Sequence, residues 1–198
     1  EGFSANVQSI IRNLDFEKQI DFMDKNNRLL GVVRKFSELD LNPNTIDGIK
    51  AGYMFEEIIR KFSENAEAGD HYTPREVIRL LVSIILAEGC DDLYTERRVA
   101  TVLDMACGSG GMLSTTHDAI TRMNPDAEVR LFGQEINPES YAICLADMLI
   151  KDEDAKNIRL QDTMKVDCFE GQDMRIVIAN PPFGAAWGGK DAADGVES

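Results

Sequence analysis

The chain has 198 residues, 43% hydrophobic and 28% charged, enough for one good core or one and a half domains and too apolar for a disordered tail. Its formal net charge of −14 excludes a chain that grips nucleic acid by itself, because phosphate neutralisation needs clustered Lys and Arg. No apolar run approaches the ~20 residues that span a bilayer, and the N-terminus lacks a signal peptide's basic-then-apolar order, so a cytoplasmic location without a membrane partner is expected.

The first third reads as helices. Val7, Ile10, Ile11 and Leu14 follow helical spacing behind Ser4, a cap candidate. Leu29, Leu30, Val33 and Phe36 repeat the pattern, as do Phe55, Ile58, Ile59 and Phe62, with Asn42-Pro43-Asn44 as the turn between the last two. These stripes are expected to be core faces without chemistry. Residues 1–68 form the expected helical N-terminal region, and residues 69–198 the first part of a second domain.

Thr73, Pro74 and Glu76 then specify a helix start. Thr73 is placed as N-cap, Pro74 at the first helical position and Glu76 as the partner of a T-x-x-E capping box. The expected apolar face of this helix is Val77, Leu80, Leu81, Ile84 and Ile85. Free N–H groups at such a helix start can receive a carboxylate.

From Val99 the rhythm becomes strand, glycine turn, helix, strand. Val99–Asp104 reads as a strand, Ser114 or Thr115 to Arg122 as helix, and Leu131–Ile136 as the next strand. Asn137-Pro138-Glu139 caps a helix with Tyr141, Cys144, Leu145, Met148 and Leu149 along one face. Asn157–Gln161 and Met174–Ala179 complete four strands. This alternation predicts βαβ units and a parallel α/β sheet that further strands would complete, so the chain is expected to be a fragment. Residues 185–198 read as a flexible Gly/Ala-rich loop.

The segment Asp104-Met105-Ala106-Cys107-Gly108-Ser109-Gly110-Gly111 lies at the first strand-to-helix turn, where glycines let the backbone approach a ligand and helix N–H groups face it. A nucleotide-like cofactor is the expected guest. The dinucleotide pattern G-x-G-x-x-G fails at Leu113, and no Gly-Lys-Ser/Thr follows to make a P-loop. Glu135 ends the second strand, in position to accept both hydroxyls of a ribose. Asp162 ends the third, in position to accept from an adenine amine.

The last strand runs into Asn180-Pro181-Pro182-Phe183. A side-chain carbonyl, two residues that cannot donate an N–H, and an aromatic face describe a clamp for a planar exocyclic amine. Cys90, Cys107, Cys144 and Cys168 lie far apart with no C-x-x-C pair, and the histidines are His71 and His117. Zinc spacing is therefore absent, no metal is expected, and the thiols read as reduced.

In order, these motifs resemble the amino-methylating DNA methyltransferases, most closely the modification (M) subunit of type I restriction-modification systems. The carriers are Gly69 to Glu76, the loop from Asp104 to Gly111, Gln134-Glu135-Ile136-Asn137, and Asn180-Pro181-Pro182-Phe183. The loop departs mildly from the family at Met105, Ser109 and Met112 and keeps its glycines. The resemblance implies a Rossmann-like S-adenosylmethionine-dependent methyltransferase sheet behind an all-helical region. It implies S-adenosyl-L-methionine held by His71, Tyr72, Thr73, Pro74, Arg75, Glu76, Asp104, Ala106, Gly108, Ser109, Gly110, Gly111, Glu135, Ile136, Asp162 and Asn180. It makes Asn180, Pro181, Pro182 and Phe183 the catalytic group for N6-adenine methylation. Implied partners are double-stranded DNA, a specificity (S) subunit and a second M subunit; whether a restriction (R) subunit joins them stays open. Cytosine amino methylation, protein glutamine methylation and a catalytically inactive binding fragment are the competing readings.

Overall fold

The computed structural model describes residues 4–42, 44–65, 73–87, 90, 93 and 98–182. His71, Tyr72, Phe183 and the expected loop 185–198 lie outside them, as does Pro43.

Four helices come first: α1 (Ala5–Asn13), α2 (Phe16–Lys25), α3 (Leu29–Ser37) and α4 (Gly48–Asn65). Ser4 caps α1 as expected, its hydroxyl accepting from the Val7 N–H. Helix α2 was not expected. It starts behind Asp15 at φ 48°, a left-handed turn that its sequence does not advertise. The stripes expected to be core faces are only partly so: Val7, Ile10, Ile11 and Leu14 of the first are half-buried, with Ile10 packed on the main core, whereas neither α2 nor α3 buries a residue and Leu30, Val33, Phe36 and Ile58 are exposed. Hydrophobic spacing predicted the helices but not a partner for their apolar faces. No described helix is long and apolar enough to cross a membrane.

Helix α5 (Arg75–Ala87) begins one residue later than the sequence implies, with the Ile78 N–H bonded to the Pro74 carbonyl. It buries Ile78, Val82 and Leu86, while Val77, Leu80 and Ile84 are exposed. Of the predicted face Leu81 and Ile85 do pack on the core, so the buried face is the predicted one rotated. Val77, Ile78, Leu80, Leu81, Val82, Ile84, Ile85 and Leu86 surround the helix, so periodicity alone cannot choose a side.

The second half is βαβ throughout: β1 (Val99–Asp104), α6 (Gly111–Met123), β2 (Glu128–Glu135), α7 (Pro138–Ile150), a short 3₁₀ turn (Ala155–Asn157), β3 (Ile158–Leu160) and β4 (Ile176–Val177). The strands form one parallel sheet in the order β3-β2-β1-β4, with Leu103 opposite Phe132 and Val177. Helix α6 starts three residues before the expected Ser114. The glycine loop itself makes its first turn, with Gly110 at φ 84° in the cap position. Strand β2 starts at Glu128 rather than Leu131, because Val129 and Arg130 pair with β1 despite their mixed polarity. Strands β3 and β4 are shorter than predicted; β4 pairs with β1 alone.

Two apolar clusters flank the sheet. On one face Val102, Leu131, Ile158 and Ile176 meet Leu113 and Ile120 of α6, Cys144 and Met148 of α7, and Ile78 and Val82 of α5. On the other face Leu103 and Phe132 meet Phe169, whose ring stands edge-on to that of Phe132 at 5.3 Å. Helices α1 and α4 pack against α7.

Candidate active site at the carboxyl ends of the strands

Parallel α/β sheets place ligands beyond the carboxyl ends of their strands, and four chemistry-bearing segments converge there. The first is the loop after β1. Asp104 is 1% exposed and its Oδ1 accepts the Ala106 N–H at 3.0 Å. Burial pushes its carboxyl up to about 7, the nearby Glu135 charge adding to the rise and the Ala106 N–H opposing it. Gly108 and Gly110 take φ 53° and 84°, conformations that cost other L-residues about 1–2 kcal/mol. A Cβ at Gly110 would lie 2.7 Å from Cys144 Sγ, so packing against α7 also demands glycine.

The second segment is the end of β2. Glu135 is 8% exposed and both its oxygens are held, Oε2 by the Gly108 N–H at 2.8 Å and Oε1 by the Asn137 N–H at 2.7 Å. Each carboxylate oxygen keeps a second lone pair, so Glu135 can still accept from a diol. Asn137 in turn caps α7, accepting from Glu139 and Ser140. Ile136 lies beside Glu135 and is 63% exposed, an apolar surface at the mouth of the site.

The third is the chain after β3. Asp162 lies two residues past the strand. Its Oδ1 accepts the Met164 N–H, and Oδ2 stands 3.3 Å from Lys165 Nζ, which makes Asp162 the organiser of a turn. Gln134, read in the sequence only as the first residue of the Gln134–Asn137 motif, anchors this segment. Gln134 is fully buried; its Nε2 donates to the Val166 carbonyl and its Oε1 accepts the Cys168 N–H, both at 2.9 Å.

The fourth is the tip after β4. The Ile178 N–H bonds to the Leu103 carbonyl and carries the chain out to Asn180, Pro181 and Pro182, all exposed. Asn180 Nδ2 donates to Thr73 Oγ1 at 2.9 Å, joining segments 107 residues apart. The hydroxyl expected as a helix cap thus receives the tip. Pro74 and Glu76 lie at the adjacent start of α5. The Arg75 guanidinium lies 5.8 Å over the Tyr53 ring of α4, and Arg75 lines a cavity together with Ser109 and Gly111 of the glycine loop.

The N-6 DNA methylase family model matches residues 49–197. The chain belongs to the N-6 DNA methylase family. Among relatives of this N-6 DNA methylase chain, it is 29% identical over 167 residues to the type I restriction enzyme MpnII methylase subunit of Mycoplasma pneumoniae, covering 77% of this chain and 28% of that one. It is 28% identical to the MjaIX methylase subunit of Methanocaldococcus jannaschii, covering 92% of this chain and 31% of the relative. To the Escherichia coli EcoEI methylase subunit it is 25% identical, covering 97% and 38%. The chain thus spans about a third of the length of these curated relatives. In fold it is similar to the type I restriction-modification methyltransferase subunit of Streptococcus thermophilus, with a TM-score of 0.67 at 24% identity, over 87% of this chain and 35% of that one. A Listeria monocytogenes protein assigned to the class I S-adenosylmethionine-dependent methyltransferases gives 0.60 at 17% identity, over 88% and 50%. The α/β sheet behind N-terminal helices is therefore the S-adenosylmethionine-dependent methyltransferase fold expected from the sequence.

Proposed function

We propose that this chain carries the cofactor cradle and catalytic tip of an N6-adenine DNA methyltransferase that acts as the modification subunit of a type I restriction-modification complex. The observation that carries this reading is the Asn180–Thr73 hydrogen bond. With Nδ2 committed to the Thr73 hydroxyl, the Asn180 carbonyl oxygen remains the free end of the amide at the exposed tip. The Pro181 carbonyl is a second acceptor, and neither Pro181 nor Pro182 has an N–H to compete. Two carbonyl acceptors suit the two N–H groups of an exocyclic amine.

The residues fit S-adenosyl-L-methionine. Glu135 is a buried carboxylate with acceptor capacity to spare for a ribose, and the Gly108 and Gly110 conformations hold a cradle beside it. Ile136 and Asp162 would face the adenine. Asp104, Ala106, Ser109 and Gly111, with Thr73, Pro74 and Glu76, would hold the amino-acid end, and His71 and Tyr72 belong to the same proposed group. When bound, the cofactor supplies an electrophilic methyl group on a sulfonium.

The chain's own work is positioning and electrostatics. Asn180 and the Pro181 carbonyl orient the amine and match the positive charge that develops on its nitrogen, so no strong base is needed. Phe183 would stack on a base turned out of the duplex. Double-stranded DNA is the proposed substrate. The −14 net charge assigns most of the DNA grip to a specificity subunit and a second modification subunit. Membership among N-6 DNA methylases favours adenine over a cytosine amine or a protein glutamine.

The test is Asn180→Ala in the complete enzyme with its specificity subunit. Transfer of labelled methyl to an adenine-containing duplex is lost, while calorimetric cofactor binding is nearly intact. Retained production of N6-methyladenine overturns the assignment.

A further inference from the structure

A cavity of about 390 Å³ runs along the seam between α4 and the α6–α7 layer, from Ser109 and Gly111 of the loop to a polar end that the proposed methyl transfer does not use. That end is built by Ser114, His117 and Asp118 of α6, Asp147 of α7, and Lys151 and Glu153 just after it. Lys151 Nζ is committed to Asp147 Oδ2 at 2.7 Å, which neutralises Asp147. The Ser114 hydroxyl has one proton and two acceptors within reach, Asp147 Oδ2 at 3.0 Å and Glu153 Oε2 at 3.3 Å. Glu153, with its side chain 4% exposed, therefore has at most a shared donor on one oxygen.

Its other oxygen, Oε1, faces His117 Nδ1 at 3.5 Å, and Asp118 Oδ1 faces the same nitrogen at 3.8 Å. Both separations exceed the roughly 2.7–3.2 Å of an N–H···O hydrogen bond. His117 Nδ1 is itself buried and without a hydrogen-bond partner among the described residues. The three donor atoms lie within 4.8 Å of one another. A tetrahedral ion bound at about 2.0–2.1 Å sets its ligands about 3.3–3.4 Å apart, a spacing that 3.5 Å and 3.8 Å approach more closely than they approach a hydrogen bond.

We propose that His117, Asp118 and Glu153 form a binding site for a divalent transition-metal ion of the zinc class, with the fourth position open to the cavity. One imidazole nitrogen and two carboxylate oxygens are the donors such an ion takes, and a dication balances two carboxylates beside a Lys151 that is already paired with Asp147. The ion would fasten α6 to the chain leaving α7, at the seam where α4 meets the α6–α7 layer. The sequence hides this set because Glu153 lies 35 residues beyond Asp118, outside any ligand-spacing motif.

The test is titration of the tag-free, chelator-stripped chain with Co²⁺, followed by calorimetry and visible absorption. Expected is one Co²⁺ per chain with the d–d bands of four-coordinate cobalt, bleached by Zn²⁺. Affinity should fall at least roughly 10- to 100-fold in H117Q, D118N and E153Q and stay unchanged in E170Q, a change in an exposed turn. Asp118 is exposed, so D118N tests the site even where a core change impairs folding. Absence of saturable Co²⁺ binding, or equal affinity in D118N and the parent chain, overturns the proposal and leaves a histidine–carboxylate ion pair.

Discussion

Replacing Gly110 with alanine tests whether the loop's shape is fixed by backbone conformation and by α7 together. The residue sits at φ 84°, where a Cβ costs about 1–2 kcal/mol. The new methyl would also stand 2.7 Å from Cys144 Sγ, with Cys144 Cβ and Cα at 3.5 and 3.7 Å. Cys144 has no exposed surface, so the thiol cannot swing into solvent, and overpacking of this kind adds about 1–3 kcal/mol. The expected loss is about 2–5 kcal/mol. For a chain of this size that corresponds to a midpoint lowered by roughly 5–20 °C. The two contributions separate in a double-mutant cycle with Cys144→Ala, which removes the sulfur and leaves the backbone strain. In that background Gly110→Ala should cost only about 1–2 kcal/mol, a coupling of about 1–3 kcal/mol. Urea denaturation followed by circular dichroism measures all four chains. A loss below about 1 kcal/mol in Gly110→Ala, or the same loss in both backgrounds, refutes the reasoning.

Two further outcomes follow from the site. Thr73→Val removes the acceptor for Asn180 Nδ2 and should lower kcat of the complete enzyme by roughly 5- to 10-fold, the worth of about one hydrogen bond, with Thr73→Ser restoring it; unchanged turnover in the valine variant would remove Thr73 from the positioning role. Asp104, with its carboxyl raised to about 7 against an ordinary value of about 3.9, binds its proton more tightly folded than unfolded, so its contribution to stability is greatest at acid pH and declines as pH rises from about 4 to about 7, by roughly 4 kcal/mol in all. Asp104→Asn should match the parent chain near pH 4 and exceed it in stability at pH 8, and denaturation curves that stay parallel across that range would contradict this.

The parts of the site that were legible in the sequence are those whose local chemistry is unusual wherever it occurs. A Gly-x-Gly-Gly turn after a β-branched strand, an acid at a strand end and a Pro-Pro tip each restrict backbone or hydrogen bonding over a few residues. The hidden parts depend on partners far along the chain. Gln134 reads as one polar residue in a strand, yet it is buried because a segment over 30 residues later brings it a carbonyl and an N–H. The start of α6 was hidden for a related reason: glycines are poor helix formers, but here packing against Cys144 and Ile78 fixes them in the first turn. The face of α5 was illegible because apolar residues surround it, and the sheet and α6 choose which are covered.

Asp104 and Glu135 show how tertiary structure divides the labour between two residues that sequence alone treats alike. Both close neighbouring parallel strands and both are nearly fully buried. Glu135 receives one N–H on each oxygen, from the glycine loop and from the turn into α7, so its charge is held by donors that the fold supplies before any ligand arrives. Asp104 receives a single N–H from two residues ahead and lies within the field of Glu135, which leaves burial to dominate. Glu135 is thereby a preset acceptor whose second lone pairs match a diol. Asp104 is the carboxyl whose ionisation near neutral pH stays open to adjustment by whatever charge is brought beside it. A cationic ligand at the loop would favour the ionised form of Asp104, and its binding would then draw on a charge that the empty fold disfavours.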